Sequence, residues 1–381
     1  MLGSSSTEKK ITSSQPIVPA WQALTDDDIR ELKVIAPNAV VLTSFEDSDT
    51  DTASEDTDDE EQQGMPEPLT SLFSSANTEL SPQEILVKSE EVFLGLETKL
   101  KAHGCQKLES VTRQQSKSTC WHAHRAGRIT STKFYHITTT DKISTNYLQN
   151  IMQYNQTQLN IPSVLWGQQM EETARKAYTD YMEQTHEDFK VSPSGLVVRP
   201  SEPHLGSSPD GIITCACCSR GVLEVKCPYK YRDALQGCEK DAQFCLDKTD
   251  KLKPSHQYYY QVQLHIHVCD VSYCDFVVWT KNEFVLQRIL RDEDLLQQSL
   301  PKAEQVFVTC VLPELLTRRH DPAMETGRAC KSCRRPDFGK TVNCGKCNSH
   351  FHYSCAQIRR KPAKWLCQEC LGGTCSSGSL G

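Results

Sequence analysis

The chain has 381 residues, enough for two or three domains of about 150 residues each. Its net charge is −7, but residues 46–61 contain ten acids and no base, so the rest carries +3 and is mildly basic. No apolar run approaches the roughly 18 residues of a membrane span, and the start MLGSSSTEKK lacks the apolar segment of a secretory signal. We therefore expect an intracellular protein that has no membrane contact.

Composition divides the chain into five parts. Residues 1–79 are rich in Ser, Thr, Asp, Glu and Pro, and we expect a disordered acidic region there. From Ser81 a capping-box pattern predicts a helix that ends near residue 101. A mixture of helical and strand patterns predicts an α/β or α+β domain over residues 80–318. The remaining parts are a linker, a cysteine-rich domain and a flexible tail, over residues 319–328, 329–372 and 373–381.

Hydrophobic periodicity places the elements of the large domain. The predicted helices span residues 144–156, 164–186, 256–268 and 283–308, and the predicted strands span 194–199, 210–214, 221–226 and 271–280.

Two neighbouring strands bring acids toward one lysine. In a strand alternate side chains share a face, so Glu224 and Lys226 point the same way. The turn at residues 215–220 folds this strand back beside the one that follows Asp210. We therefore expect Asp210 within reach of Glu224. Charged groups in an otherwise apolar strand are costly to desolvate unless they are paired or bind a cation.

The helix pattern at 164–186 supplies a third acid, because Glu171 lies beside its apolar face whereas Glu172 points to solvent. Hard cations such as Mg²⁺ prefer oxygen ligands, and such a set of carboxylates can bind one or two of them. These ions would neutralise a scissile phosphate and lower the pKa of an attacking water, with Lys226 orienting that water or stabilising the pentacovalent state. The ordinary alternative is a structural Glu–Lys pair.

The Asp…Glu-x-Lys pattern resembles the core of PD-(D/E)XK nucleases. Four motifs in order narrow the resemblance to the lambda exonuclease / YqaJ viral recombinase family, over roughly residues 120–280. These motifs are W-x-x-x-R-x-G-x-I-T-x-T at 121–132, W-G-x-x-x-E at 166–171, the pair S-P-D-G at 208–211 and L-E-V-K-C-P at 223–228, and Q-x-Q at 261–263.

The resemblance implies a restriction-endonuclease-like core with helices around a central mixed sheet. It implies Mg²⁺ or Mn²⁺ ligands at Glu171, Asp210, Glu224 and the carbonyl of Val225. Lys226 would be the catalytic lysine, and Gln261 would orient it or the water. Arg125, Thr130 and Thr132 would bind phosphate, at a 5′ end, which suits an arginine fork and hydroxyls. Further candidates for a DNA channel, on motif position alone, are Arg128, Lys133 and Lys230.

One departure from the family concerns a second metal ion. Some relatives carry another acid about ten residues before the Asp of S-P-D-G. Here that position is Pro200, with Glu202 nearby.

Three cysteines, Cys215, Cys217 and Cys218, lie in the predicted hairpin turn without an obvious fourth ligand. An iron–sulfur cluster fits such a set poorly, so we expect free thiols. The histidines show no ligand spacing, and we expect them at core edges; they are His122, His124, His256, His265 and His267.

The second domain contains seven of the nineteen cysteines. Its ligand pairs are Cys330-x-x-Cys333, Cys344-x-x-Cys347, His352-x-x-Cys355 and Cys367-x-x-Cys370. Eight ligands in four such pairs predict two tetrahedral Zn²⁺ sites. About 40 residues bury too little core to fold alone, so zinc must supply folding free energy.

The order of these ligands resembles a plant homeodomain (PHD) finger. The resemblance implies a cross-brace, in which the first and third pairs share one zinc and the second and fourth pairs share the other. Such fingers often bind histone tails, but His350 and Thr341 stand where methyl-lysine readers usually have cage residues. An unmodified peptide or another protein partner stays open.

Two hypotheses follow for the whole chain. The first is a Mg²⁺-dependent deoxyribonuclease that degrades duplex ends 5′ to 3′ in recombination, repair or mobile-element processing, with a finger that suggests the nucleus. The second is a DNA- or chromatin-binding protein built on a nuclease-like scaffold. The oligomeric state is not legible from the sequence.

Overall fold

The computed structural model describes residues 9–12, 64–154, 161–322, 330–332, 341–358, 360, 362 and 364–371. The strands are β1 (Lys9–Thr12), β2 (Ile129–Thr130), β3 (Lys190–Ser192), β4 (Val197–Arg199), β5 (Glu202–Ser207), β6 (Gly211–Thr214), β7 (Gly221–Lys226), β8 (Tyr273–Trp279), β9 (Glu283–Leu290), β10 (Thr341–Asn343) and β11 (His350–His352). The helices are α1 (Pro82–Lys99), α2 (Ala102–Val111), α3 (Thr119–Arg125), α4 (Ser131–Thr139), α5 (Thr145–Ile151), α6 (Pro162–Met182), α7 (Gln257–Val268), α8 (Glu293–Val306), α9 (Leu312–Thr317), α10 (Tyr353–Ala356) and α11 (Gln368–Leu371).

The main sheet of the described residues is mixed and has the strand order β1-β9-β8-β7-β6-β3. β7 and β8 pair in parallel, and α7 connects them. The other neighbours pair antiparallel. A smaller sheet has the order β2-β5-β4. This α/β architecture, with helices around a central mixed sheet, is the predicted fold class.

Helices cover both faces of the main sheet. Val222 of β7 belongs to one core cluster, together with residues of α7. Leu223 and Val225 of the same strand belong to another cluster, together with residues of α6. A third cluster joins α7 to α4, α5, α8 and α9. Because β7 is buried on both faces, any charged side chain that it carries inward must be paired or must bind something.

The large domain is longer at both ends than the sequence predicted. Its packed part begins before residue 80, since Leu69 is buried and the Asn77 side-chain amide donates to the Leu316 carbonyl at 3.1 Å. It also extends past residue 318, where Asp321 is buried and Gln149 donates to the His320 carbonyl. The acidic run 46–61 and the tail 373–381 lie outside the described residues.

One predicted helix is partly wrong. Residues 283–290 form strand β9, and only Glu293–Val306 is helical. The apolar side chains of this segment suit either period over a short window, and the pairing of residues 284–290 with β8 decides for the strand. The capping box at Ser81 is confirmed, with Ser81 and Glu84 bonded reciprocally at the start of α1. No helix in the described part of the chain combines the length and apolar character needed to cross a bilayer.

The buried carboxylate of Asp275 pairs with an arginine of the main sheet and also accepts a hydrogen bond from α6. The carboxylate of Asp275 in β8 accepts two hydrogen bonds of 2.8 Å from the guanidinium of Arg288 in β9. The Tyr178 hydroxyl of α6 donates to the same carboxylate at 2.6 Å. Breaking such a buried pair leaves an uncompensated charge, so these residues fix where α6 lies on the sheet.

Candidate active site

Glu224 is the centre of the predicted constellation and is almost fully buried, with 2% of its surface exposed. The Lys226 ammonium donates to its Oε1 at 2.5 Å, and the Gln261 amide donates to the same oxygen at 2.6 Å. Lys226 also lies over the ring of Tyr258, 4.4 Å from the centroid. The structure therefore brings Glu224, Lys226 and Gln261 together, as the sequence predicted.

His265 is a neighbour that the sequence analysis missed. Its Nε2 lies 3.0 Å from Oε2 of Glu224, and its Nδ1 lies 2.6 Å from the Ser207 hydroxyl. It is buried, as expected for a core histidine, but it contacts the site. The available signal was spacing: His265 follows Gln261 by one helical turn in α7, so both side chains share a face.

Asp210 directly precedes β6 and is bonded to β7 through both its backbone and its side chain. Its backbone N–H donates to the Leu223 carbonyl at 3.0 Å, and its Oδ2 accepts from the Val225 N–H at 2.7 Å. The carboxylate therefore replaces a backbone acceptor where the β6–β7 ladder ends. This contact fixes Asp210 beside the end of β7.

Glu171 reaches the site from α6 and is half-buried, whereas Glu172 is exposed, as predicted. Arg175, one turn later, pairs with Glu172 and donates to the Asp210 carbonyl at 3.3 Å. Glu171 is close enough to Asp210 and Glu224 for its charge to act on theirs. The predicted convergence of helix and hairpin is therefore present.

The charges of this site do not balance. Burial and the charges of Glu224 and Glu171 raise the pKa of Asp210 well above its usual range. Burial and the charge of Glu224 likewise raise the pKa of Glu171. For Glu224 burial opposes ionisation, but Lys226 and His265 lower its pKa to about 2. If all three carboxyl groups were ionised, their charge would exceed that of Lys226, and a hard divalent cation bound to their oxygens would relieve the repulsion that raises two of these pKa values.

A second group of predicted residues lies next to this site. The Arg125 guanidinium stacks on the Trp121 ring at 4.0 Å, and the Trp121 indole N–H donates to Ser208, two residues before Asp210, at 3.0 Å. Arg125 Nε is buried and lacks a hydrogen-bond partner among the described residues. The hydroxyls of Thr130 and Thr132 lie 3.3 Å apart on the segment that follows. A buried guanidinium N–H without a partner in the described part of the chain suits an anionic ligand.

Gly127 shapes the turn between Arg125 and Thr130. Its φ of +76° lies in the left-handed region, and a Cβ there would lie 2.6 Å from a methyl of Leu315. The glycine of the predicted motif therefore has a structural reason.

The other residues predicted to line a DNA channel differ in exposure. Arg128 is buried and donates to the carbonyls of Pro203 and His124, so it is a structural residue, and its assignment to the channel was wrong. Lys230 is exposed and pairs with Asp241 at 2.6 Å. Glu202 pairs with His267 at 2.7 Å and does not join the carboxylate site.

The pKa of Lys133 allows a pH test of the residues predicted to contact DNA near Arg125. Burial and the nearby charge of Arg125 lower the pKa of Lys133 to about 8. The ammonium is therefore present at pH 7 and mostly lost at pH 9, and we expect binding of duplex DNA to weaken across this interval. Anisotropy with the Lys226→Ala protein, which we expect not to cleave, measures the affinity.

In the matched variant Lys133→Arg the side chain stays charged over the whole range. We expect its affinity to change much less between pH 7 and pH 9. Equal pH dependence of the two proteins would show that Lys133 does not contact the DNA.

The C-terminal cysteines gather into two clusters. Sulfurs of Cys344, Cys347, Cys367 and Cys370 form one cluster, and Cys330, Cys355 and the His352 ring form the other. In each cluster the ligand atoms all lie within 4.8 Å of one another. Cys333, the predicted fourth member of the second cluster, lies outside the described residues. The pairs alternate as the cross-brace predicts, which is the arrangement of a small zinc-binding domain.

The cysteines of the β6–β7 turn are not isolated thiols. Cys215, Cys217 and Cys218 gather around the ring of His186, with all four ligand atoms within 4.8 Å of one another. The sequence analysis found no fourth ligand because His186 lies 29 residues before Cys215.

Two carboxyl groups of the hairpin, one acid of α6 and a lysine meet at the end of β7, and residues of the same domain match a known family model. Residues 120–272 match the YqaJ-like viral recombinase domain. The match covers less than half of the chain, and over these residues it agrees with the resemblance that the motifs carry. The enzyme class is accordingly a nuclease, which is a hydrolase.

Three solved structures resemble the chain. The alkaline exonuclease LHK-Exo from Laribacter hongkongensis is 24% identical; the match covers 55% of this chain and 100% of that one, with a TM-score of 0.41. A SOX–DNA complex is 13% identical over 58% and 75% of the two chains, with a TM-score of 0.43. The shutoff and exonuclease protein from Kaposi's sarcoma-associated herpesvirus is 12% identical over 58% and 76%, with a TM-score of 0.41. No curated protein matches the chain in sequence.

Proposed function

We propose that this protein is a Mg²⁺- or Mn²⁺-dependent deoxyribonuclease that hydrolyses the phosphodiester bonds of DNA. The observation that supports this most is the convergence of Glu171, Asp210 and Glu224 on Lys226, where burial and mutual repulsion raise the pKa of the first two acids. These three carboxylates, with the Val225 carbonyl, would bind the metal ion.

A bound divalent ion supplies charge neutralisation at the scissile phosphate and lowers the pKa of a nearby water. The side chains of the chain do the positioning. Gln261 and His265 fix the Glu224 carboxylate from the side of α7. Lys226, fixed by Glu224 and Tyr258, places an ammonium where the pentacovalent phosphate gains negative charge. In-line attack by water then leaves a 3′-hydroxyl and a 5′-phosphate.

Action from duplex ends, in the 5′ to 3′ direction, is the mode we propose. Arg125, Thr130 and Thr132 would bind the terminal 5′-phosphate, because Arg125 has a buried N–H without a partner among the described residues and is connected to the segment before Asp210 through Trp121 and Ser208. With only +3 on the chain outside the acidic run, DNA would be bound in a local channel rather than on a broad basic surface. Binding should therefore fall as salt rises.

The test uses the purified full chain on end-labelled linear and covalently closed circular duplex DNA, with Mg²⁺, with Mn²⁺ and with EDTA. We expect loss of linear DNA from its 5′ ends with either metal and survival of the circle. Cleavage of the circle would show that the enzyme is an endonuclease and not an exonuclease. Binding without turnover in both metals would support a non-catalytic DNA-binding protein instead.

For the C-terminal domain we propose a PHD-type finger with two zinc ions, one on Cys330, Cys333, His352 and Cys355 and the other on Cys344, Cys347, Cys367 and Cys370. The alternation of the two clusters supports this. So does the Trp365 ring, which packs edge-on against Phe351 beside the ligands. The finger would bind a histone tail or another protein peptide and direct the nuclease to chromatin, in nuclear recombination, repair or mobile-element processing.

A further inference from the structure

The turn between β6 and β7 contains a second kind of metal site, outside both the carboxylate site and the finger. Cys215, Cys217 and Cys218 lie in this turn, and His186 lies in the loop that leads from α6 to β3. We propose that these four residues bind a structural Zn²⁺ ion as a Cys₃His site.

Antiparallel pairing explains how the fourth ligand arrives. β3 pairs with β6, and Lys190 lies opposite Thr214 in the ladder. The chain before β3 therefore runs beside the chain after β6, and the Ala216 N–H donates to the Glu187 carbonyl at 2.9 Å. This contact places His186 directly against the cysteine turn.

The separations of the ligand atoms match a tetrahedral zinc ion. With Zn–S near 2.3 Å and Zn–N near 2.0 Å, tetrahedral angles put two sulfurs roughly 3.8 Å apart and a nitrogen roughly 3.5 Å from a sulfur. Cys217 lies 3.6 Å from Cys215 and 3.9 Å from Cys218, sulfur to sulfur. The His186 Nδ1 lies 3.2, 3.5 and 3.8 Å from the sulfurs of Cys217, Cys218 and Cys215.

The C-terminal clusters provide a comparison within the same chain. Cys347 and Cys367 lie 3.8 Å apart, sulfur to sulfur, and Cys355 lies 3.8 Å from the His352 Nδ1. The hairpin cluster has the same spacing and a complete set of four ligands.

Other roles for the cluster fit less well. Sulfurs 3.6–3.9 Å apart are not disulfide-bonded, since that bond is about 2.05 Å long. A two- or four-iron cluster distributes its cysteines over several metal atoms, whereas these four ligand atoms lie within 4.8 Å of one another, close enough to bind a single ion. The Arg288 guanidinium lies near Cys218 and would offset part of the thiolate charge.

The consequence for the protein is mechanical. The zinc would join the loop after α6 to the β6–β7 hairpin. Helix α6 carries Glu171, Asp210 directly precedes β6, and Glu224 lies in β7. It would thereby fix the relative positions of the elements that supply the three carboxylates. This consequence rests on the proposed nuclease function, whereas the metal site itself does not.

Zinc content of the purified full chain, measured by mass spectrometry of the metals, tests the site directly. We expect Cys217→Ser and His186→Ala each to lose one zinc per chain relative to the wild type. His186→Cys, which restores a fourth thiolate, should keep it. Cys310→Ser is the matched control, because Cys310 is half-buried and belongs to no ligand cluster within the described ranges, and the zinc content of this variant should not change.

The site is independent of the finger, so Cys344→Ser combined with Cys217→Ser should lose more zinc than either change alone. Equal zinc in the wild type, Cys217→Ser and His186→Ala proteins would overturn the proposal. So would iron in place of zinc, with visible absorbance that the Cys217→Ser change removes. If the wild type does not cleave DNA but the variants still contain one zinc fewer than the wild type, the nuclease function is contradicted and the proposed zinc site is supported.

Discussion

Replacing Lys226 by alanine, or Glu224 by glutamine, is expected to lower Mg²⁺-dependent cleavage of linear duplex DNA by about 10²–10³-fold or more, the usual cost of one well-placed electrostatic group. The Lys226 ammonium is the cation nearest the buried carboxylate, and Glu224→Gln removes a negative ligand oxygen at almost constant shape. The measurement is the initial rate of nucleotide release from end-labelled DNA at saturating Mg²⁺.

The fold should survive both changes, because Gln261 and His265 still contact position 224. Circular dichroism and thermal unfolding check this. Lys176→Ala is the matched control: Lys176 is exposed on α6, and its ammonium pairs with Asp180 at 2.9 Å. Its rate should stay near the wild-type value. Undiminished cleavage by Lys226→Ala and Glu224→Gln would remove this site from the reaction.

The hairpin and its charges could be predicted because local rules decide them. The bounds of β7 agree with the prediction, since a short apolar run between turns is enough to define a buried strand. Glu224 and Lys226 then share a face by the alternation of a strand, and the turn returns the chain past Asp210. The helical period likewise separates Glu171 from Glu172 on α6.

What escaped the sequence depends on contacts between distant segments. His265 meets Glu224 only because α7 packs on the sheet face that β7 presents. His186 meets the cysteine turn only because β3 pairs with β6. Arg128 carries a charge yet is buried, because backbone carbonyls accept from its guanidinium. Helical spacing places His265 on the same face as Gln261 but does not place that face against Glu224, so the His265 contact and the fourth zinc ligand required the fold.

Arg125 is expected to bind the terminal 5′-phosphate, whereas Glu224 and Lys226 act at the scissile phosphate, and this difference allows a separate prediction. Its Nε is a buried donor without a partner in the described part of the chain, and the Trp121 ring fixes the guanidinium plane. Arg125→Lys keeps the charge but removes the planar fork that matches phosphate. A lost hydrogen bond to a charged group costs about 1.5–3 kcal/mol, or roughly 10- to 100-fold in rate.

We expect this loss on linear duplexes that carry a 5′-phosphate, measured as initial rates beside the same duplexes with a 5′-hydroxyl. The wild type should prefer the phosphorylated end, and Arg125→Lys should reduce that preference while its slower rate on hydroxyl ends stays nearly unchanged. Lys142→Arg, at an exposed position, controls for the effect of exchanging lysine and arginine as such. If Arg125→Lys slowed both substrates equally, Arg125 would act on the DNA backbone in general, and the end would be recognised elsewhere.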